Sequence, residues 1–188
     1  MPISRTAARL GDGAVIAASG RDPARFAEVF DRHWPRVFRY CVSRAGAGGE
    51  DIAAETFRVA LDRRASFDCS REDAGPWLLG IATNLMRHRH RSEARRTHAL
   101  RRLHQDEQAD HVDDALDRIE AEAAGARAAE ALGQLPAVYR DALLLHVWAE
   151  LSYGEVAEAM QVSVGTVRSR IHRARTFLRR ALTEEILT

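Results

Sequence analysis

Residues 151–180 read LSYGEVAEAMQVSVGTVRSRIHRARTFLRR, and this stretch decides the fold. Ser152 followed by Glu155 is a capping box, and Ser163 followed by Thr166 repeats the N-cap signature. The first cap opens a short helix with Val156, Ala157 and Met160 on one side. Gln161 and Val162 leave room only for a tight turn. The second cap opens a longer helix whose apolar residues Val164, Val167, Ile171, Ala174 and Leu178 recur at helical period. At about 100° per residue, Thr166, Ser169, His172, Arg173 and Arg180 point away from that stripe, with Arg168, Arg170 and Arg175 on its flanks. A short helix, a tight turn and a second helix with a polar outer face form a helix-turn-helix over about 152–173. A merely solvated face would mix acidic and basic residues. Ser163–Arg180 holds six arginines and no carboxylate, a face that attracts phosphate.

The whole-chain charge carries no such message, because the 188 residues sum to +1. The distribution does. Residues 87–102 hold seven arginines and one glutamate, whereas 106–122 hold eight acidic residues and one arginine. All the basic residues other than histidine are arginine, which suits phosphate and guanine contacts better than lysine. Scarce aromatics and abundant alanine favour helix over sheet. Cys41 falls on an apolar helix face and Cys69 in a polar segment, so no disulfide framework is expected. No apolar run is long enough for a signal peptide or a membrane span, and a cytoplasmic protein is expected.

Upstream, Asp12–Ser19 fits a short helix closed by Gly20. Asp22 caps a strong helix with Pro23 at its first position and a wide apolar face from Phe26 to Cys41. His33 lies within that arc, as a core or boundary histidine more than a ligand. The glycines at 46–49 break the helix, and a second runs from about Glu50 to Arg64 with Ile52, Thr56, Val59 and Ala60 inward. Residues 65–75 read as a polar loop. Pro76 starts a third helix, apolar through Leu85 and strongly basic from Arg87. An acidic segment follows, then helical spacing from about Asp113 to Leu132, a break at Leu135–Pro136 and one more helix before the helix-turn-helix. The expected fold is all-α. Two small helical domains, roughly 10–100 and 113–185, are joined by a flexible acidic linker over 101–112.

Chemistry of other kinds finds no footing. His88, His90, His98, His104 and His111 match neither a helical i, i+4 metal pair nor a finger with cysteines. There is no glycine-rich phosphate loop and no nucleophile elbow. No metal, no cofactor and no enzymatic activity are expected.

FAEVFDRHWPRVFRYC and EDIAAETFRVAL resemble the first part of the conserved second region of the extracytoplasmic-function (ECF) group of bacterial sigma factors, in the sigma-70 family. PWLLGIATNLMRHRHR resembles the end of that region. ALGQLPAVYRDALLLHVWAELSYGEVAEAMQVSVGTVRSRIHRARTFLRRAL resembles the fourth region, where LP, LSY-EVA and GTVRSRIHRAR form a highly specific combination. The similarity covers nearly the whole chain in order. It implies a dissociable subunit of RNA polymerase that directs promoter-specific initiation at minus-35 and minus-10 elements.

By motif position, the resemblance implies minus-35 contacts from Ser163, Thr166, Arg168, Ser169, His172 and Arg173. It implies that the 65–75 loop receives a base flipped from the non-template strand, with Asn84 lining the pocket. His88, Arg87, Arg91, Arg95 and Arg96 would complete the minus-10 surface. Asp51, Glu55 and Phe57 would dock on the clamp helices of the largest polymerase subunit, although Ala54 stands where the family usually has glutamine. The acidic linker would thread near the RNA exit path. The resemblance also admits an anti-sigma protein as a partner; no residue demonstrates one. The competing expectation is a free-standing helix-turn-helix regulator that binds operator DNA as a dimer, which leaves the second basic helix and the docking helix unexplained.

Overall fold

The computed structural model describes residues 10–103 and 119–184, and those residues are helical with no strand among them. By its contacts the chain divides into two units. The first runs to Met86 and takes in Glu158–Gln161; the second holds the rest.

In the first unit, α1 (Asp12–Ser19) is closed at Gly20, as its sequence predicts. Asp22 then accepts a hydrogen bond from the Ala24 N–H at 3.2 Å and, with Pro23, starts the chain into a helix. The first turn, Pro23–Phe26, is a 3-10 turn, and α2 proper spans Ala27–Ala45. Gly46 adopts φ +53°, a conformation that favours glycine, and there α2 stops. A short 3-10 turn leads into α3 (Gly49–Asp62). Its buried side carries Ile52, Thr56 and Ala60 as expected, and also Ala53 and Phe57. Thr56 Oγ1 donates to the Ile52 carbonyl at 2.7 Å, which satisfies its buried hydroxyl.

After a 3-10 turn at Arg64–Ser66 and a loop, α4 runs from Gly75 to Leu103. Leu78, Leu79 and Ala82 are fully buried and Met86 nearly so, which anchors its first half. Each buried leucine contributes about 1.5–3 kcal/mol relative to an exposed one. One polar chain crosses this core. Arg44 donates to the Tyr40 hydroxyl at 2.9 Å, Tyr40 lies 2.9 Å from Thr83 Oγ1, and Thr83 donates to the Leu79 carbonyl at 2.8 Å. Thr83 spends its proton on Leu79, so Tyr40 is the donor to Thr83. α4 continues past residue 100, where the linker is expected to begin; 104–118 lie outside the described residues.

The second unit contains α5 (Ile119–Gln134) and α6 (Ala137–Val147), separated at Leu135–Pro136 as predicted. The helix-turn-helix pair is α7 (Tyr153–Met160) and α8 (Val164–Glu184). α6 and α5 pack on α8. Leu145, Leu151, Val156, Val167, Ile171 and Ala174 are buried. Val164 departs from its expected place in the stripe: it is 42% exposed, because it stands in the first turn of α8, ahead of the packed stretch.

Candidate nucleic-acid interface

Two caps set the pitch of the helix-turn-helix. Ser152 Oγ accepts from the Glu155 N–H at 3.3 Å while Glu155 accepts from the Ser152 N–H at 2.7 Å, a reciprocal capping box. Ser163 Oγ accepts from the Thr166 N–H at 3.1 Å and lies 2.9 Å from the Thr166 hydroxyl. Between them Gln161 takes φ +54°, and the Val162 N–H donates back to the Ala157 carbonyl at 3.0 Å. That left-handed residue turns the chain sharply enough for only three residues to separate α7 from α8.

Burial of Val167, Ile171 and Ala174 then fixes which way α8 faces. Arg168, Ser169, His172 and Arg173 are all exposed, as two i, i+4 pairs side by side. Ser163 is exposed and Thr166 half-buried. Ser169 donates to the Thr166 carbonyl at 2.9 Å. Arg173 is held from α6: Nη1 donates to the Tyr139 hydroxyl at 2.9 Å, with the guanidinium 5.8 Å from the ring centre. Tyr139 sits 34 residues away, so no local period in the sequence points to it.

On α4, Asn84, His88, Arg91 and Arg95 are exposed. Their spacing of four, three and four residues puts them on one helical face. Arg87 does not join them. It is half-buried and donates from Nε to the buried Asp141 carboxylate at 2.5 Å. The reason is helical phase: position 87 lies about 100° from 88, toward the packed side. The side chain of Arg96 lies outside the described residues.

The expected docking set also divides. Asp51 is exposed. Glu55 accepts two hydrogen bonds from Arg58, at 2.7 and 2.5 Å, and that partner holds its carboxyl below the usual range. Phe57 is instead 5% exposed, its ring 4.8 Å from Phe30 and 5.8 Å from Trp34. Phe57 therefore supports the surface from beneath, and the most exposed ring in this cluster is Phe30, at 37%.

Among the described residues one group brings metal-type ligands together, Asp12, His33 and Asp73. Asp12 already accepts from Arg32 and from the Ala74 N–H, both at 2.8 Å, and from His33 at 2.5 Å. Arg32 there, and Arg36 3.9 Å from Asp73, already supply the positive charge a cation would bring, so the group is structural. His33 is thus the satisfied boundary histidine its sequence position suggests.

A helix-turn-helix with an arginine-rich outer face, together with the separate basic face on α4, is the class of arrangement that binds DNA. The family model of Sigma-70 region 2 matches residues 29–96, and that of Sigma-70, region 4 matches 126–178. The ECF RNA polymerase sigma factor SigW of Bacillus subtilis is 33% identical over 86% of this chain and 90% of its own. SigL of Mycobacterium tuberculosis, another ECF sigma factor, is 29% identical over 90% of this chain and 96% of its own. The chain belongs to the ECF RNA polymerase sigma factors of the sigma-70 family. In fold it is similar to the sigma factor RpoE of Bartonella quintana, solved with the anti-sigma factor NepR. That likeness has a TM-score of 0.61 at 22% identity over 84% of this chain and 96% of the other.

Proposed function

We propose that this protein binds core RNA polymerase and directs initiation at promoters with particular minus-35 and minus-10 elements. The observation that carries this is the outward face of α8, where Arg168, Ser169, His172 and Arg173 stand exposed on a packed helix within a chain of this family. A helix of this width enters the major groove, and its arginines suit guanine O6 and N7. Ser163 and Thr166, at the helix start, are placed to meet backbone phosphate.

The α4 face takes the minus-10 element. Asn84 faces a base drawn out of the stack into the loop before α4, and Arg91 and Arg95 hold phosphates. Asp51 and Glu55, backed by the Phe30–Trp34–Phe57 cluster, dock on the clamp helices of the largest polymerase subunit. The protein acts in the cytoplasm, as a recognition subunit and not an enzyme, and an anti-sigma protein is a fitting regulatory partner. Among the described residues no helix is long and apolar enough to cross a membrane. A free-standing dimeric regulator is not favoured, since the family consists of polymerase sigma factors.

The test is transcription by purified protein and core enzyme on a library of genomic promoters. The expected result is start sites selected only when the protein is present. Unchanged start-site selection would refute the proposal, and tight operator binding by the protein alone would favour the dimeric regulator.

A further inference from the structure

We infer that Asp12 and Gly13, at the start of α1, are positioning residues for minus-10 discrimination: they hold the loop between α3 and α4 in its base-receiving shape. The inference rests on the role proposed above for that loop. α1 itself lies outside the residues 29–96 matched by Sigma-70 region 2.

The loop is tied to α1 along its length. The Asp12 N–H donates to the Glu72 carbonyl at 3.0 Å and the Gly13 N–H to the Arg71 carbonyl at 3.1 Å. In return, the Ala74 N–H donates to the Asp12 carboxylate at 2.8 Å. Asp12 is 3% exposed and is clamped from α2 by Arg32 and His33. Gly13 is where the two backbones touch. A Cβ there would lie 2.2 Å from the Cys69 carbonyl oxygen and 2.5 Å from that of Arg71, both backbone atoms that cannot rotate away.

Upstream, Phe67 is buried with its ring 5.0 Å from Trp77. Asp68 turns the chain by accepting from the Ser70 N–H and hydroxyl. Between these anchors the residues Asp68–Glu72 are exposed. An irregular segment that must present polar groups to an unstacked base gains affinity and selectivity when its backbone is ordered before the base arrives. α1 supplies that order from some 60 residues away in sequence. The requirement falls on residue types as well as places. Position 12 needs a short acceptor that reaches Ala74, and position 13 needs no side chain at all.

The experiment uses the full chain in holoenzyme with core polymerase, on promoters carrying every single-base change in the minus-10 and minus-35 elements. Gly13→Ala and Asp12→Asn are compared with wild type for initiation rate, core affinity and thermal unfolding. Base preference at one minus-10 position is expected to compress by roughly tenfold, while minus-35 preference and core affinity stay within about twofold. If Gly13→Ala does not fold, Asp12→Asn carries the test. It keeps the side-chain volume, and accelerated amide exchange at Ala74 reports that the loop was released. Variants that bind core and keep full minus-10 selectivity overturn the inference, as does an equal loss at every promoter position. A wild-type holoenzyme without minus-10 preference overturns the loop's proposed role and this inference together; a selective wild type with equally selective variants overturns this inference alone.

Discussion

Replacing Arg173 with alanine separates what the guanidinium does in the free protein from what it does on DNA. In the free protein it is exposed, bonded to Tyr139 Oη at 2.9 Å and lying 5.8 Å from the ring centre. Such exposed pairings contribute up to about 1 kcal/mol, so unfolding should barely move. On DNA the account differs. Tyr139 occupies one of the five donors of the guanidinium, and the rest of the fork can still meet a base edge. A good bidentate arginine–guanine pair discriminates by about 1–3 kcal/mol. At about 1.4 kcal/mol per decade this is roughly 5–150-fold in initiation from a promoter with its preferred minus-35 element. Tyr139→Phe keeps the ring and removes only the hydroxyl that orients Nη1, so its loss should be smaller, within about fivefold. The assay is initiation by holoenzyme on matched and scrambled minus-35 promoters, beside a thermal melt. Equal loss on both promoters, or a melt lowered as far as by a core mutation, would refute the reasoning.

Ile171→Ala removes a side chain only 1% exposed from the stripe that seats α8, and should cost about 2–5 kcal/mol in denaturant unfolding. Alkylation at about pH 8 should stop at one thiol per native chain. Cys69 is exposed, whereas burial pushes the Cys41 thiol up to about 12 against the opposing pull of Arg44, and mass spectrometry after denaturation should find the second site. Burial pushes the Asp12 carboxyl up, but the Ala74 N–H, His33 and Arg32 together outweigh it and leave it below its ordinary 3.8. The folded state therefore binds this proton less readily than the unfolded state. Its stabilisation is fully present above the ordinary value and is lost as pH falls through the folded one. Urea titrations should show the stability gap between wild type and Asp12→Asn steady from about pH 7 to 5 and narrowing below about 3.8.

Much of the candidate site is legible in one dimension because helices report their own phase. The caps at Ser152 and Ser163 and the outward set Arg168, Ser169, His172 and Arg173 follow from local chemistry and a period of 3.6. Asn84, His88, Arg91 and Arg95 come instead from motif position, and they stand exposed on one face of α4. Phe57 does not. Motif position puts it with Asp51 and Glu55, but its phase places it with Ile52, Ala53 and Ala60, and packing against Phe30 and Trp34 settles the matter. Arg87 differs for a related reason: it lies on the packed side of α4, where the buried carboxylate of Asp141 draws it in.

Taken alone, the sequence determined that the fold is all-α, where most helices start and stop, and which faces carry arginine. Those properties depend on residues within a few turns of one another, so caps, breakers and apolar spacing encode them directly. Tertiary structure decided the pairings across long separations: Arg173 on Tyr139, Arg87 on Asp141, Thr83 beneath Tyr40, and α1 against the loop through Asp12 and Gly13. These contacts join residues tens of positions apart, and no periodicity records which polar group a folded helix will bring within 3 Å of another. Asp12 shows the limit most clearly. It looks like an ordinary first-turn acid until the fold buries it against Ala74, Arg32 and His33.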